Sequence, residues 1–360
     1  MINWWNTTLG LNEKKSLINS FISKKLSQGI KTEELEKQLS KEMDVPYVVV
    51  TNSGTSAIYI SLLALGLKKN QEVIVPNLTW IATAQPVISC GAKPILIDNK
   101  SDLPLINEDL IQKKITKKTK GIIAVQFHGR VCNMEAINKI AKKNKLFVLE
   151  DACKSMFSRS KYGYMGTIGD VGCFSLGMVS LLTVGYGGFL VTKKKSIYEK
   201  AKLIRDHGCV RNDWDDYKYM GLNFKISDLL SSIGLEQLKR KENKINHINQ
   251  IYDLYVAKLK KSSLYEIVPV NRKAGEIPIC VDIICKNRNK FSKELKKLGI
   301  QTSKIHPPLS FAKYINSNSK NLKNSENFAK NGLMLPSGPN QPLKNVKKAI
   351  EILNKNYGNK

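Results

Sequence analysis

No two of the seven cysteines stand in a C-x-x-C pair, and their number is odd. That spacing excludes a zinc ribbon and argues against a disulfide framework. Cys90, Cys132, Cys153, Cys173, Cys209, Cys280 and Cys285 lie mostly in apolar runs, where small buried thiols are expected and no metal is implied. No stretch approaches the ~18 apolar residues of a membrane span, and the opening "MINWWNTTLG" lacks the apolar centre of a secretory leader. A cytoplasmic protein without a membrane partner is the expectation. Acidic residues are scarce: 30 Asp and Glu face 58 Lys and Arg, a formal charge of +28. The lysines are spread through amphipathic segments such as "LIQKKITKKTK" and "FSKELKKLG", with no RNA-binding signature or basic zipper, so a solvated surface is expected and no specific nucleic-acid partner. Lysine is nevertheless missing between Lys161 and Lys193, a stretch that includes "GCFSLGMVSLLTVGYGG".

What is present is an ordinary globular composition, 42% hydrophobic and 24% charged, in a chain long enough for a large domain with a smaller companion. From about residue 45 to 193, short β-rich runs alternate with helical ones: "YVVVT", "EVIVP", "KPILID", "GIIAVQ", "KLFVLEDA", "VGCFSL" and "GGFLVT" are the strand candidates. Such alternation predicts an α/β fold, a mostly parallel sheet covered by helices on both faces, with ligands at the carboxyl ends of the strands. Residues from about 195 to 260 read as long helices. Short strands at "YEIVPV" and "IPICVDIIC" and helices at "NKFSKELKKLG" and "NVKKAIEILNKNYG" make a small α+β end domain. The division expected is 1–245 for the large domain and 246–360 for the small one.

Several strand ends carry chemistry. "TNSGTSA" joins a strand to a helix through Asn52, Ser53, Gly54, Thr55 and Ser56, which makes either an anion cradle for a phosphate or an ordinary helix cap. "VLEDA" ends an apolar strand in Glu150 and Asp151, a carboxylate that can hold a charged ring nitrogen or simply cap a turn. Trp80, just after "EVIVP", is a stacking platform for a planar group or a core residue. Ser175 in "FSLG" adds a hydroxyl, and Asn223 in "GLNFKISD" an amide or a local turn residue.

Taken in order, "NSGTSA", "VIVPNLTWIATAQPVISCGAKPILID", "VLEDA", "GTIGDVGCFSL", "GYGGFLVT", "LIRDHG", "GLNFKISDLLSSIGLEQL" and "LMLPSGP" resemble the DegT/StrS family of sugar aminotransferases, over nearly the whole chain. The resemblance implies the three-layer fold type I of vitamin B6 enzymes, with pyridoxal 5′-phosphate or pyridoxamine 5′-phosphate as cofactor. It implies that Gly54, Thr55 and Ser175 bind the cofactor phosphate, that Trp80 stacks on the pyridine ring, and that Asp151 pairs with the ring nitrogen. Asn223 would reach the phosphate of a neighbouring subunit in a homodimer with shared sites. Glutamate as amino donor and a nucleotide-linked keto-sugar as acceptor are the implied substrates.

Two departures stand out. The family's lysine, which joins the cofactor covalently and moves the proton, follows the serine of the Phe-Ser pair by five residues; that position here is Ser180, and no nearby lysine can replace it by a shift of register. A serine hydroxyl forms no imine and is a poor base without an activating neighbour. The family's acidic residue before the double glycine is Tyr186. A second substitution answers the first: where the family commonly has glutamine near the cofactor's O3′, "EDACKSM" places Lys154. Lys154 either replaces the lost lysine as covalent partner or proton carrier, or else points to solvent or merely neutralises the phenolate oxygen. Sugar dehydratases of the family also replace the lysine, typically with histidine, and keep the cofactor in its amine form. His128 and His207 lie in loops that can approach the site, although His207 in "RDHG" matches a common family position and needs no catalytic role. Ser303 and Lys304 lie along the expected substrate edge, where the family often has an arginine; Lys225 also stands where many relatives have arginine, and His306 either contacts substrate or is a structural residue of its Pro-rich turn. An aminotransferase, a lysine-less dehydratase and a cofactor-binding relative without turnover are the readings that follow.

Overall fold

A computed structural model describes residues 1–7, 9–24, 26–210, 213–315 and 321–358. Seven strands form the central sheet: β1 (Tyr47–Thr51), β2 (Glu72–Pro76), β3 (Lys93–Ile97), β4 (Thr119–Val125), β5 (Phe147–Asp151), β6 (Val171–Ser175) and β7 (Gly188–Thr192), in the order β1-β7-β6-β5-β4-β2-β3. The pairs from β3 through β6 are parallel, whereas β7 runs antiparallel to both β6 and β1. The expected mostly parallel sheet is therefore present, with one reversed strand.

Strand periodicity of two sends alternate side chains to opposite faces. Val49, Cys173 and Leu190 enter one apolar cluster, while Val48, Val50, Phe174, Phe189 and Val191 enter another. Each face needs a helical cover. The first is covered by α3 (Gly54–Ala64), α4 (Met134–Lys143) and α5 (Lys195–Arg205), through residues such as Ile58, Ile137 and Ile204. On the second lie α2 (Ile30–Glu42) and α6 (Asp228–Lys239), through Leu35, Leu39, Ile233 and Leu238, with α1 (Leu11–Ile22) packed outside on α6. Three layers result.

The region expected to be helical from 195 to 260 is interrupted by a hairpin of Cys209–Val210 with Asp213–Tyr217, and Arg240 separates α6 from α7 (Lys241–Lys258). The division expected near residue 245 falls inside α7. Ile245 and Ile248 of this helix pack with the second cluster, and Ile251, Tyr252 and Tyr255 with the core of the end domain. That end domain is an antiparallel sheet of β8 (Tyr265–Ile267), β9 (Val281–Cys285), β10 (Ser303–Lys304) and β11 (Gly332–Leu335), ordered β8-β9-β11-β10 and covered by α8 (Arg288–Lys297) and α9 (Leu343–Tyr357). The first residues join it as well, since Ile2 N–H donates to Gly299 O at 2.7 Å. Among the described residues no helix is long and apolar enough to cross a membrane.

One buried carboxylate fastens the second helical layer. Asp228, at the first turn of α6, accepts hydrogen bonds from the N–H groups of Gly29, Lys31 and Thr32 at 2.8, 3.0 and 3.0 Å and from Thr32 Oγ1 at 2.8 Å. It satisfies the free donors at the start of α2, which has no side-chain cap of its own. Asp228→Ala strands those donors, so denaturant unfolding should show a loss of about 3 kcal/mol; a loss below about 0.5 kcal/mol would contradict this role.

Candidate functional site

The carboxyl ends of β1, β2, β4, β5 and β6 open into one cavity of about 760 Å³, closed on its far side by the end-domain segment 302–307 and by Trp4. Gly54, Thr55, Trp80, Asp151, Lys154 and Ser175 all line it.

Ser53 caps α3, its Oγ accepting the Ser56 N–H at 3.0 Å. The helix therefore starts at the cavity edge with its N-terminal N–H groups and dipole directed there, favourable to an anion. Close packing demands small residues. A Cβ on Gly54 would meet Cys153 Sγ at 3.0 Å and Ser175 Cβ at 3.2 Å, and a Cβ on Gly188 would stand 2.4 Å from Gly54 N. The double glycine thus lets β7 cross under the start of α3 and places Ser175 beside Gly54.

Asp151 and Glu150 leave β5 on opposite sides. Glu150 is fully buried and accepts hydrogen bonds from Gly166, Ile168 and Gly169 N–H at 2.8, 2.8 and 2.7 Å and from Gln126 Nε2 at 2.9 Å. Burial pushes its carboxyl up, against those four donors. Asp151 instead faces the cavity, its Oδ2 accepting from Thr83 Oγ1 at 2.6 Å and its Oδ1 from Cys153 N–H at 3.2 Å. Trp80 is 57% exposed, so its ring is no core residue; it meets the His306 ring edge-on with centroids 4.9 Å apart. Asn77 holds that end-domain segment in place. Its Nδ2 donates to Ser325 Oγ at 2.8 Å, and its O and Oδ1 accept the N–H groups of Leu309 and Ser310 at 2.8 and 2.9 Å.

Lys154 enters the same cavity, half-buried, and its amine makes no hydrogen bond or ion pair among the described residues. Burial pulls its pKa down, and the Asp151 carboxylate opposes that pull. Burial also raises the Cys153 and Cys280 thiols, which stay protonated near neutrality. A lysine with a lowered pKa presents more free amine, the nucleophilic form.

Ser180 is buried and is not among the lining residues; its Oγ finds no hydrogen-bond partner among the described residues. The cause lies in the loop that carries it. Leu181, Leu182 and Val184 are drawn into the core against α2 and α6, each worth ~1.5–3 kcal/mol of burial, and Ser180 goes with them. Lys244 of α7 fixes the loop from below, donating to Leu181 O at 3.3 Å, and burial takes its amine down to about 8. Gly177, Val179, Tyr186 and Gly187 of the loop still reach the cavity, with Tyr186 82% exposed. Asn223 is exposed outside the lining, beside Asn52, whose Nδ2 donates to Asn223 O at 3.5 Å. His207 is exposed elsewhere, and Lys225 pairs with Asp206. Ser303, Lys304 and His306 do line the cavity.

His128 lines it as well, so its loop does approach the site. Its backbone is left-handed, φ 51°, and its Nδ1 lies 2.9 and 3.1 Å from the two carboxylate oxygens of Asp282 in β9. Arg130 Nη1 donates to the same carboxylate at 2.6 Å, while its Nε and Nη2 donate to Pro269 O and Val268 O at 2.9 Å each. Burial pushes the Asp282 carboxyl up, but His128 and Arg130 beside it hold it below the usual range. His306, 6.0 Å from His128 between ring centroids, is pulled down to about 3 by burial and by His128 and Lys154, against Asp282. Among the described residues no group of three or more His, Cys, Asp or Glu is arranged to hold a metal ion.

Residues 8–354 match the DegT/DnrJ/EryC1/StrS aminotransferase family. The GDP-perosamine synthase of Escherichia coli O157:H7 is 30% identical over 342 residues, covering 93% of this chain and 92% of its own. Among solved structures, Helicobacter pylori PseC, an aminotransferase of pseudaminic acid biosynthesis, superposes with a TM-score of 0.90 at 25% identity, covering 98% of both chains. E. coli GDP-4-keto-6-deoxy-D-mannose-3-dehydratase with bound hydrated pyridoxal phosphate shares the fold with a TM-score of 0.91 at 24% identity, over 98% of this chain and 99% of its own.

The depressed His306 pKa carries a stability consequence. The unfolded imidazole binds a proton below about 6.5, and the folded one only near 3, so this group costs stability as pH falls through that window. His306→Gln should flatten the acid-side loss of stability between these values in denaturant titrations, and an unchanged slope would contradict the buried neutral imidazole.

Proposed function

The chain belongs to the DegT/DnrJ/EryC1/StrS aminotransferase family, and from that premise we propose that it is a pyridoxal or pyridoxamine 5′-phosphate enzyme acting on a nucleotide-linked keto-sugar, with glutamate as amino donor. The residues present suit the cofactor. An α3 N-terminus with Gly54, Thr55 and Ser175 offers N–H groups and hydroxyls to its phosphate, Asp151 offers a carboxylate to its ring nitrogen, and Trp80 offers an open aromatic face. When bound, the cofactor supplies an electron sink for the carbon that gains or loses the amino group. A cytoplasmic homodimer completes the proposal: Asn223 would reach the neighbouring subunit's site, and the exposed Tyr217, Met220 and Leu222 around it are apolar surface suited to burial by a partner.

The single observation that carries the reading is the Lys154 amine, unpaired among the described residues and lowered in pKa, in a cavity with Asp151. Lys154 would take over the covalent attachment that Ser180, turned into the core, cannot make. Ser180 then contributes through the path of its loop and not through its hydroxyl. Lys304 and Ser303 at the rim would meet the sugar nucleotide, where lysine acts as a point charge and not as a bidentate fork.

The second reading, a dehydratase using the amine form of the cofactor, is favoured by the absence of any lysine from the loop that carries Ser180. Product analysis separates the two: amino transfer puts nitrogen on the sugar and yields 2-oxoglutarate, whereas dehydration adds no nitrogen to the sugar. With a GDP- or UDP-linked 4-keto-6-deoxy sugar, Lys154→Ala should lower amino transfer at least ~100-fold while the visible spectrum still reports noncovalent cofactor binding. Unchanged turnover in this variant would overturn the role of Lys154.

A further inference from the structure

His128 is buried, yet it lines the cavity, and its environment fixes which nitrogen carries the proton. An ionised carboxylate only accepts hydrogen bonds, so Asp282 requires Nδ1–H on the imidazole. In the neutral ring Nε2 is then a free acceptor, and among the described residues nothing bonds to it. Three features hold the ring there. Asp282 is itself pinned by Arg130, which is spread over two carbonyls. The neighbouring Gly129 has φ 94° and no room for a side chain, a Cβ there standing 1.6 Å from Ile277 O. The left-handed backbone of His128, uncommon outside glycine, is maintained by this packing. The charged and titratable groups around it are Asp282 and Arg130 on one side and His306 and Lys154 on the cavity side.

We propose that His128 is an acid–base residue of this cavity, with Nε2 taking a proton from, and returning it to, the carbon at which the amino group is exchanged, and with Asp282 and Arg130 as positioning residues. The inference rests on the aminotransferase reading above and adds a residue to it. The transfer balances within the site. The C–H bond of the amino-bearing carbon breaks, its electron pair stays on the substrate and cofactor framework, and the proton forms an N–H bond at Nε2. The resulting imidazolium faces the Asp282 carboxylate, which offsets its charge, as a carboxylate does behind the histidine of a catalytic triad. His306, neutral across the working range, adds no second positive charge to oppose this. The division of labour follows: the amine of Lys154 is left for attachment, and the proton work that one lysine would do falls to the histidine.

The test uses the full-length protein with pyridoxal phosphate and glutamate in deuterated water, following exchange of the glutamate α-proton by NMR. His128→Asn is the informative variant, because asparagine tolerates the left-handed backbone and its amide can still donate to Asp282. Exchange should fall at least ~100-fold, with the melting temperature and the cofactor spectrum kept. Exchange undiminished in a folded variant overturns the inference alone. No exchange and no cofactor binding in the unmodified protein overturns it together with the reading beneath it. A second readout needs no turnover. With only four histidines in the chain, ¹⁵N-histidine NMR assigns His128 by elimination, from the signals lost in His207→Gln, His247→Gln and His306→Gln. The unmodified protein should show the Nδ1–H tautomer, with an Nε2 signal that moves when pyridoxal phosphate and glutamate are added. An Nε2 signal that does not respond, or a proton on Nε2 in place of Nδ1, overturns the assignment even if the variant fails to fold.

Discussion

The geometry of the cavity depends on a carboxylate that never reaches it. Glu150 sits at the carboxyl end of the middle strand, sealed from solvent, and its two oxygens gather the turn at residues 166–169 and the amide of Gln126. Gln126 in turn accepts the Cys132 N–H at 2.8 Å and donates its own N–H to Asp151 O at 3.0 Å. One buried acid thus fixes the exit of β4, which leads into His128, and the exit of β5, which presents Asp151 and Lys154. Losing any one of these bonds would leave a buried charge short of partners, a cost of ~1–3 kcal/mol or more. The adjacent Glu-Asp pair divides its work by strand alternation: the first acid builds, and the second faces the cavity.

Within that frame the unusual feature is where positive charge and free amine have gone. The apolar loop after the Phe-Ser pair gains more by burying Leu181, Leu182 and Val184 than it loses by stranding the Ser180 hydroxyl. The wall it offers the cavity contains no ionisable group except the exposed Tyr186. On another wall Lys154 has been left without an ion pair among the described residues, and the cysteines beside it are too hard to ionise to supply one. A lysine so placed costs stability when charged and relieves that cost by giving up its proton. This is the condition under which a lysine becomes reactive.

Much of the scaffold was legible because the strands announce themselves. "YVVVT", "EVIVP" and "GGFLVT" coincide with β1, β2 and β7, since β-branched runs bounded by Gly, Pro or Asn have few other stable fates. The reversal of β7 was not legible, because a buried strand reads alike in either direction. The break at Arg240 was equally hidden, for the apolar spacing continues across it. At the site, Gly54, Thr55, Trp80, Asp151, Lys154 and Ser175 follow the strands, so local sequence carries them to the cavity. Ser180 was misleading in one respect: its position in the motif does not reveal that the leucines after it turn it inward. Asn77, Asp282 and the orientation of His128 escaped because they are long-range pairings. Asp282 meets His128 across 154 positions of chain, and no local pattern marks either partner.

The claim at the centre of this account is that the covalent role of the missing lysine has moved to Lys154. Borohydride reduction of the protein with pyridoxal phosphate, followed by peptide mass spectrometry, addresses it most directly. The account predicts a reduced pyridoxyl adduct on Lys154. An adduct confined to another lysine, or cofactor held tightly with no lysine modified, would contradict it.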